Sequence, residues 1–344
     1  MDRRMRRTAG EPRAYRAEPR AHLVEPRARL VEGLRRLRRT LLAVAVVAAV
    51  VVPVSGAARP RIPAPAPAVL APLTAPNLDR IYGANRADAA SAARMAADHG
   101  DRTRAAADRA QAAPSRRLLY FDGRGTGRAV EVLGDLAHAD RVAVLVPGSD
   151  TSLETYGRFR AGALALKDRL GPRGAVVAWL GYETPGTIST TVLTPARAKD
   201  AAPRLRAFLR GLREVVGPAA HVSLLCHSYG TVVCGRAAPG LDVSDLVLLG
   251  SPGTGAPSAA ALRTPARVWA ARGSADWVGH VPHASVGLFG TTVGFGTDPV
   301  SPSFGARVFP AGSAGHSGYF APGSESLANL TRIVLGDTSE VPRA

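Results

Sequence analysis

The stretch His221-Val-Ser-Leu-Leu-Cys-His-Ser-Tyr-Gly-Thr-Val-Val-Cys-Gly-Arg-Ala-Ala238 decides how this chain folds. An apolar run leads into the pentapeptide Cys226 to Gly230 and a helix-like run leads out, so the sequence predicts a strand, a sharp turn and a helix. Such a nucleophile elbow lifts one serine above the end of a sheet, and Ser228 is the candidate nucleophile. The strict G-x-S-x-G string is absent. Cys226 stands at the first glycine, a position that must be small because the helix doubles back over the strand end. A second relaxed match, Ala311 to Gly315, is followed by His-Ser-Gly-Tyr-Phe-Ala-Pro instead of a helix and is rejected on that context. For Ser228 itself the plain alternative is a helix N-cap, its hydroxyl satisfying a free N–H.

A serine nucleophile needs a base, an acid to hold the base, and N–H donors for the oxyanion. Downstream, Asp245-Leu-Val-Leu-Leu, Arg267-Val-Trp-Ala-Ala and Arg307-Val-Phe read as further strands. The second opens into Gly273-Ser-Ala-Asp276 and the third into Ala311-Gly-Ser-Ala-Gly-His316, so an acid and a histidine follow successive strand ends. In the order Ser228, Asp276, His316, the histidine takes the serine proton and the aspartate fixes its tautomer. Of eight histidines, His316 alone sits after a terminal strand and before a last helix, Glu325 to Leu335, whereas His280 and His283 read as loop residues at the surface. Asp298, in Gly296-Thr-Asp-Pro, is a rival acid whose plain reading is a turn. Upstream, Arg141-Val-Ala-Val-Leu-Val-Pro-Gly-Ser-Asp150 reads as a buried strand ending in a glycine turn. The oxyanion donors expected from it are the backbone N–H groups of Ser149 and Tyr229.

Between these landmarks the pattern alternates: a helix from Ser152 to Leu170, a strand Gly174-Ala-Val-Val-Ala-Trp-Leu, and a helix from Ala196 to Val216. This spacing predicts an α/β fold with a mostly parallel sheet covered by helices on both faces. Arg117-Leu-Leu-Tyr-Phe-Asp and Ala129-Val-Glu-Val-Leu, joined by Gly123-Arg-Gly-Thr-Gly, read as an antiparallel edge hairpin, which brings the expected strands to eight. Leu118-Leu-Tyr-Phe-Asp, Gly134-Asp-Leu, Val144-Leu-Val-Pro-Gly, Trp179-Leu-Gly-Tyr-Glu-Thr-Pro, His227-Ser-Tyr-Gly, Gly250-Ser-Pro-Gly and His316-Ser-Gly-Tyr-Phe, taken in order, resemble an uncharacterised bacterial group of the α/β-hydrolase superfamily. The resemblance covers residues 117 to 335, implies the α/β-hydrolase fold, and supports the roles of Ser228 and His316. It departs at Cys226, for the usual glycine, and at Ser149, where a larger apolar residue is expected.

The domain expected to carry catalysis spans residues 114–338. Residues 77–113 are Ala-rich, with Leu78, Ile81, Tyr82, Ala89, Ala92 and Met95 near helical spacing, and read as one or two helices interrupted at Gly83 and Gly100. Residues 58–76 read as a Pro/Ala-rich extended linker. Residues 1–57 combine a basic n-region with an export signal. Within them, residues 11–31 repeat EPRAYRA, EPRAHLV, EPRARLV, a proline-bearing low-complexity run expected to be disordered. Arg38-Arg39-Thr-Leu-Leu then introduces an apolar run through Val52 and a small-residue exit, Ser55-Gly-Ala-Ala, which predicts export, by the twin-arginine route on the paired arginines. The rival is a single-pass membrane anchor, since the run nears the roughly 18 residues that span a bilayer. The long n-region suggests a translation start downstream of Met1.

The formal charge of +17 falls to about +9 once the first 40 residues, with 13 Arg against 5 acids, are removed. Lys167 and Lys199 are the only lysines, and no basic cluster is interleaved with aromatics, so nucleic-acid binding is not expected. Attraction to the membrane or to an anionic cell envelope is the milder consequence of this charge. Cys226 and Cys234, eight residues apart on the elbow strand and its helix, are expected as free buried thiols too far apart for a disulfide. No cluster has metal-ligand spacing and neither Gly-rich string has the setting of a phosphate loop, so no metal or cofactor is expected. The reading is an exported serine hydrolase, monomeric, acting on a small-molecule or lipid-like acyl ester through an acyl-enzyme. A peptidase or acyltransferase on the same three residues, or a catalytically silent envelope-binding module, stands as the alternative.

Overall fold

The central β-strands alternate their side chains between two apolar layers. Val142, Val144 and Val146 of β3 (Arg141–Val146) enter one buried cluster, while Ala143 and Leu145 enter the other. A strand buried on both faces has to lie inside a sheet covered by helices on each side. The computed structural model describes residues 62–70, 72–187, 195–281, 285–288 and 291–344, of which 285–288 and 291–294 are described as backbone only. The arginine-rich repeat, the export segment and His283 lie outside these residues.

Eight strands form one sheet in the order β1-β2-β4-β3-β5-β6-β7-β10. At one edge, β1 (Leu118–Asp122) and β2 (Arg128–Leu133) make the antiparallel hairpin the sequence predicts, and β2 pairs antiparallel with β4 (Gly174–Leu180). From β4 onward the pairing is parallel through β3, β5 (His221–His227), β6 (Asp245–Leu249), β7 (Arg267–Ala271) and β10 (Arg307–Val308). These eight are the eight expected strands. A separate antiparallel pair, β8 (Ser285–Leu288) with β9 (Thr291–Gly294), was not anticipated, because a Gly-rich run lacks the alternation that marks a strand.

The two N-terminal helices are α1 (Leu78–Asp98) and α2 (Arg102–Gln111). They are built into the core of the sheet: Leu78, Ile81 and Tyr82 of α1 join one apolar layer, whereas Ala89 and Ala92 join the other. The Asn85 amide donates to the Leu118 carbonyl at 3.0 Å. Arg104 of α2, fully buried, pairs with Asp108 and Glu154 and donates to the carbonyls of Gly123 and Gly125. Ahead of α1, residues 62–70 have no regular structure, yet the Ala68 amide donates to Asp88, and Leu70 and Leu73 pack on the core.

On the two sheet faces lie α3 (Tyr156–Lys167) and α6 (Glu325–Leu335) on one side, and α4 (Ala196–Val216) and α5 (Gly230–Ala237) on the other. Helix α3 is shorter than the expected Ser152 to Leu170. The Thr155 hydroxyl accepts from the Ser152 amide and donates to the Asp150 carbonyl, and such local bonds compete with a helical first turn.

Candidate active site

Ser228 sits at the carboxyl end of β5 with a positive φ of 54°, a conformation costly for a residue with a side chain. Around it the backbone is fully used. The Ser228 amide donates to the Leu249 carbonyl at 2.9 Å, and the Ser228 carbonyl accepts from both the amide and the hydroxyl of Thr231. Helix α5 starts at once and turns back along the sheet, so the serine side chain points away from the strand end. Its hydroxyl does not cap α5; it lies 2.8 Å from Nε2 of His316.

The sharpness of this turn corrects one expectation. Cys226 and Cys234 form a disulfide, with Cα atoms 6.5 Å apart. Distance along the chain suggested separation, but the reversal at Ser228 brings the second turn of α5 over the end of β5, within the span a disulfide bridges. Both cysteines are completely buried.

Asp276 and His316 come from loops beyond β7 and β10 that are laced together. The Ser274 amide donates to the Gly312 carbonyl, and Ala275 and Gly315 form a parallel bridge. As a result His316 Nδ1 lies 2.9 Å from Asp276 Oδ1, in line with the Nε2 contact to Ser228. With Nδ1 bonded to a carboxylate, the imidazole carries its proton on Nδ1 and leaves Nε2 to accept from the serine. Burial raises the Asp276 carboxyl, but donors from His316, Tyr319 and the Val278 amide outweigh it and hold that carboxyl below the ordinary range. The rival Asp298 points elsewhere. Its carboxylate is 2.6 Å from Arg272 Nη1 and accepts from the Val300 amide, which is the turn role.

Three residues with no role in the sequence reading complete the surroundings. His227 Nε2 lies 2.5 Å from the His316 carbonyl, and its ring packs 4.8 Å from the His316 ring. Burial, followed by the neighbouring His316, pushes the His227 pKa down to about 4, so it is a neutral donor to that carbonyl. The Tyr319 hydroxyl donates to Asp276 Oδ2 at 2.5 Å. The Trp277 ring packs against that of His316 at a tilt, centroids 4.6 Å apart, while remaining 49% exposed. The signals were proximity in sequence, His227 beside Ser228, Trp277 beside Asp276 and Tyr319 three residues beyond His316, and the presence of His227 and Tyr319 in two of the motifs that carry the resemblance.

The turn after β3 faces the serine. Pro147, Gly148, Ser149 and Asp150 line a cavity of about 700 Å³ together with Ser228, His316 and Trp277. That turn is tied to the loop after β4: the Tyr182 hydroxyl donates to the Pro147 carbonyl at 2.7 Å, the Asp150 amide to the Pro185 carbonyl, and the Thr187 amide to the Asp150 carboxylate. These contacts account for the run Trp179-Leu-Gly-Tyr-Glu-Thr-Pro as a brace for the turn. Tyr229, next along from Ser228, is buried, and its hydroxyl accepts from the Ala198 amide. Of the other sequence-predicted residues, His280 is exposed in a short 3₁₀ turn that follows Asp276.

Residues 122–286 match a family model described as alpha/beta hydrolase. With the strand order above, that decides the fold. The chain carries the alpha/beta-hydrolase fold. An uncharacterised protein of Mycobacterium tuberculosis is 32% identical over 248 residues, which cover 62% of this chain and 37% of that protein. An uncharacterised protein of Mycobacterium bovis is 34% identical over 168 residues, covering 44% of this chain and 63% of that one. This chain thus spans less than two thirds of the length of either relative. Among solved structures, a serine hydrolase without a lid from Xanthomonas campestris is 19% identical, covers 67% of this chain and 98% of its own, and has a TM-score of 0.41. A carboxylesterase from Mesorhizobium loti is 16% identical, covers 61% and 95%, and has a TM-score of 0.40. Among the described residues no group of His, Cys, Asp and Glu is placed to hold a metal ion.

Proposed function

We propose that this α/β hydrolase is an exported serine esterase that cleaves carboxylic esters through an acyl-enzyme. The observation that carries the reading is the unbroken series Ser228 Oγ, His316 Nε2, His316 Nδ1, Asp276 Oδ1, at 2.8 and 2.9 Å, opening on the cavity. Ser228 Oγ attacks the ester carbonyl while its proton passes to His316 Nε2. The C–O bond then breaks, the alcohol leaves with that proton, and the acyl group stays on Ser228. A water gives its proton to His316, attacks the acyl carbon, and releases the acid and Ser228. The oxyanion is held by the backbone N–H groups of Ser149 and Tyr229. Phe159, Phe320 and Trp277 supply apolar wall for an acyl group.

Export is supported by the disulfide, because such bonds persist in oxidising compartments and are rare in the reducing cytosol. No helix among the described residues is long and apolar enough to cross a membrane, and the apolar run ending at Val52 lies outside them. The test is labelling by a fluorophosphonate probe followed by turnover on acyl esters of graded chain length. Ser228→Ala is expected to abolish labelling and to lower kcat by at least about 10⁴-fold while the protein stays folded. Undiminished labelling of the variant would overturn the assignment.

A further inference from the structure

Tyr319 is fully buried, and its hydroxyl is committed on both sides. The Gly273 amide donates to its oxygen at 3.2 Å, so its single proton goes to Asp276 Oδ2, 2.5 Å away. The Asp276 carboxylate is thereby divided. Oδ1 takes the His316 Nδ1–H and the Val278 amide at 2.9 Å each, and Oδ2 takes Tyr319. No space remains on that side, since a β-carbon at Gly250 would fall 2.5 Å from Oδ2 and 3.0 Å from the tyrosine oxygen. Tyr319 is carried by the same loop as His316. Its ring packs 5.6 Å from His227, which holds the His316 carbonyl, so Asp276, Tyr319 and His227 close a ring with the base.

We propose that Tyr319 is a positioning residue of the hydrolytic site: its hydroxyl locks the Asp276 carboxylate in one rotamer and withdraws part of the charge that would otherwise bear on the His316 imidazolium. The proposal rests on the Ser228–His316–Asp276 reading. A hydrogen bond to one carboxylate oxygen lowers the basicity of the other, so Asp276 stabilises imidazolium less than a free carboxylate would. The group stays oriented and does not compete for the proton. The ionisable groups facing this site are Asp276, His227 and Tyr319, with Arg272 adding a positive charge beside Tyr319 and itself paired with Asp298.

The decisive variant is Tyr319→Phe, which keeps the ring and removes the hydroxyl. It is expected to lower kcat about tenfold with KM unchanged, and to move the acidic limb of the kcat/KM profile up by about half a pH unit. In the Asp276→Asn background the same substitution is expected to cost nothing further. A second readout needs no substrate: the low-field proton NMR resonance of His316 Nδ1–H should shift downfield in Tyr319→Phe. Placing 3-fluorotyrosine at position 319 strengthens the donor without changing the packing and should move the acidic limb down, which covers the case of a variant that folds poorly. An unmoved limb together with an unmoved resonance, or an equal loss in the Asp276→Asn background, would reduce Tyr319 to packing. If no ester is turned over and Ser228 is not labelled, the hydrolase reading fails, whereas the resonance still decides the role of Tyr319.

Discussion

Gly148 and Ser228 stand so close that a β-carbon on Gly148 would lie 2.5 Å from Cβ of Ser228. The contact joins the turn after β3 to the elbow after β5, two neighbouring parallel strands. It explains why the sequence has a glycine there: the turn passes directly over Ser228, and in the proposed mechanism that places the Ser149 amide beside the reacting carbonyl. Gly148→Ala has to push the turn or the serine aside, and a displacement approaching 1 Å costs about 10²-fold in rate. We expect kcat on an acyl ester to fall by that order with only a small drop in Tm. Unchanged kinetics in Gly148→Ala would mean that the turn takes no part in the reaction.

Asp276 and Asp298 separate cleanly by their partners. Asp276→Asn keeps the shape but reverses one hydrogen bond, favouring the wrong imidazole tautomer, and kcat is expected to drop by about 10³- to 10⁴-fold with little change in KM. Asp298→Asn breaks a half-buried pair with Arg272 and should change kcat less than about threefold. Steady-state kinetics of the two purified variants tests the ranking, and the reverse order would move the acid to Asp298.

His227 gives the protein an acid-sensitive joint. Its folded pKa of about 4 lies below the ordinary 6.5, so the unfolded chain binds its proton first. The stability it contributes is full above about pH 6.5 and is lost as pH falls toward about 4, a change of about 3 kcal/mol. The Asp276 carboxyl, also held low, adds a loss in the same direction at more acidic pH. His227→Gln keeps a donor for the His316 carbonyl and removes the titration. Urea midpoints measured from pH 7 to pH 4 should fall steeply for the native protein and more gently for this variant. Parallel slopes would refute the assignment.

The disulfide closes a short loop across the elbow, and a constraint of this size on the unfolded chain is worth about 2–3 kcal/mol. The double variant Cys226→Ala, Cys234→Ala should lose that much by chemical denaturation while its folded form still labels with a fluorophosphonate probe. Thiol titration of denatured protein recovered from the cell exterior should find no free cysteine, and terminal sequencing should find a start near Ala57 to Arg59. Two free thiols in that protein would overturn the bond and remove its support for the export reading.

What could be read along the chain was whatever local pattern encodes. Strands from Arg141, Gly174, His221, Asp245 and Arg267 were legible because a strand buried on both faces is a short apolar run bounded by turn residues, and the elbow was legible because strand, small turn and helix follow one another within 18 residues. The relative placement of loops was not. Asp276 is favoured over Asp298 because it directly follows an apolar run, but the letters do not say where its carboxylate points; the lacing of residues 274–275 to 312–315 turns it toward His316, while Arg272 holds Asp298 away. The cysteines failed for the same reason, since a reversal at one residue with positive φ shortens a distance that sequence separation lengthens. Likewise nothing in the spacing of Tyr319 or His227 states what their polar atoms touch. Those partners are groups on loops far apart in sequence, the His316 carbonyl for His227 and the Asp276 carboxylate for Tyr319, and a buried hydroxyl or imidazole must find them because leaving one unpaired costs more than the bond itself returns.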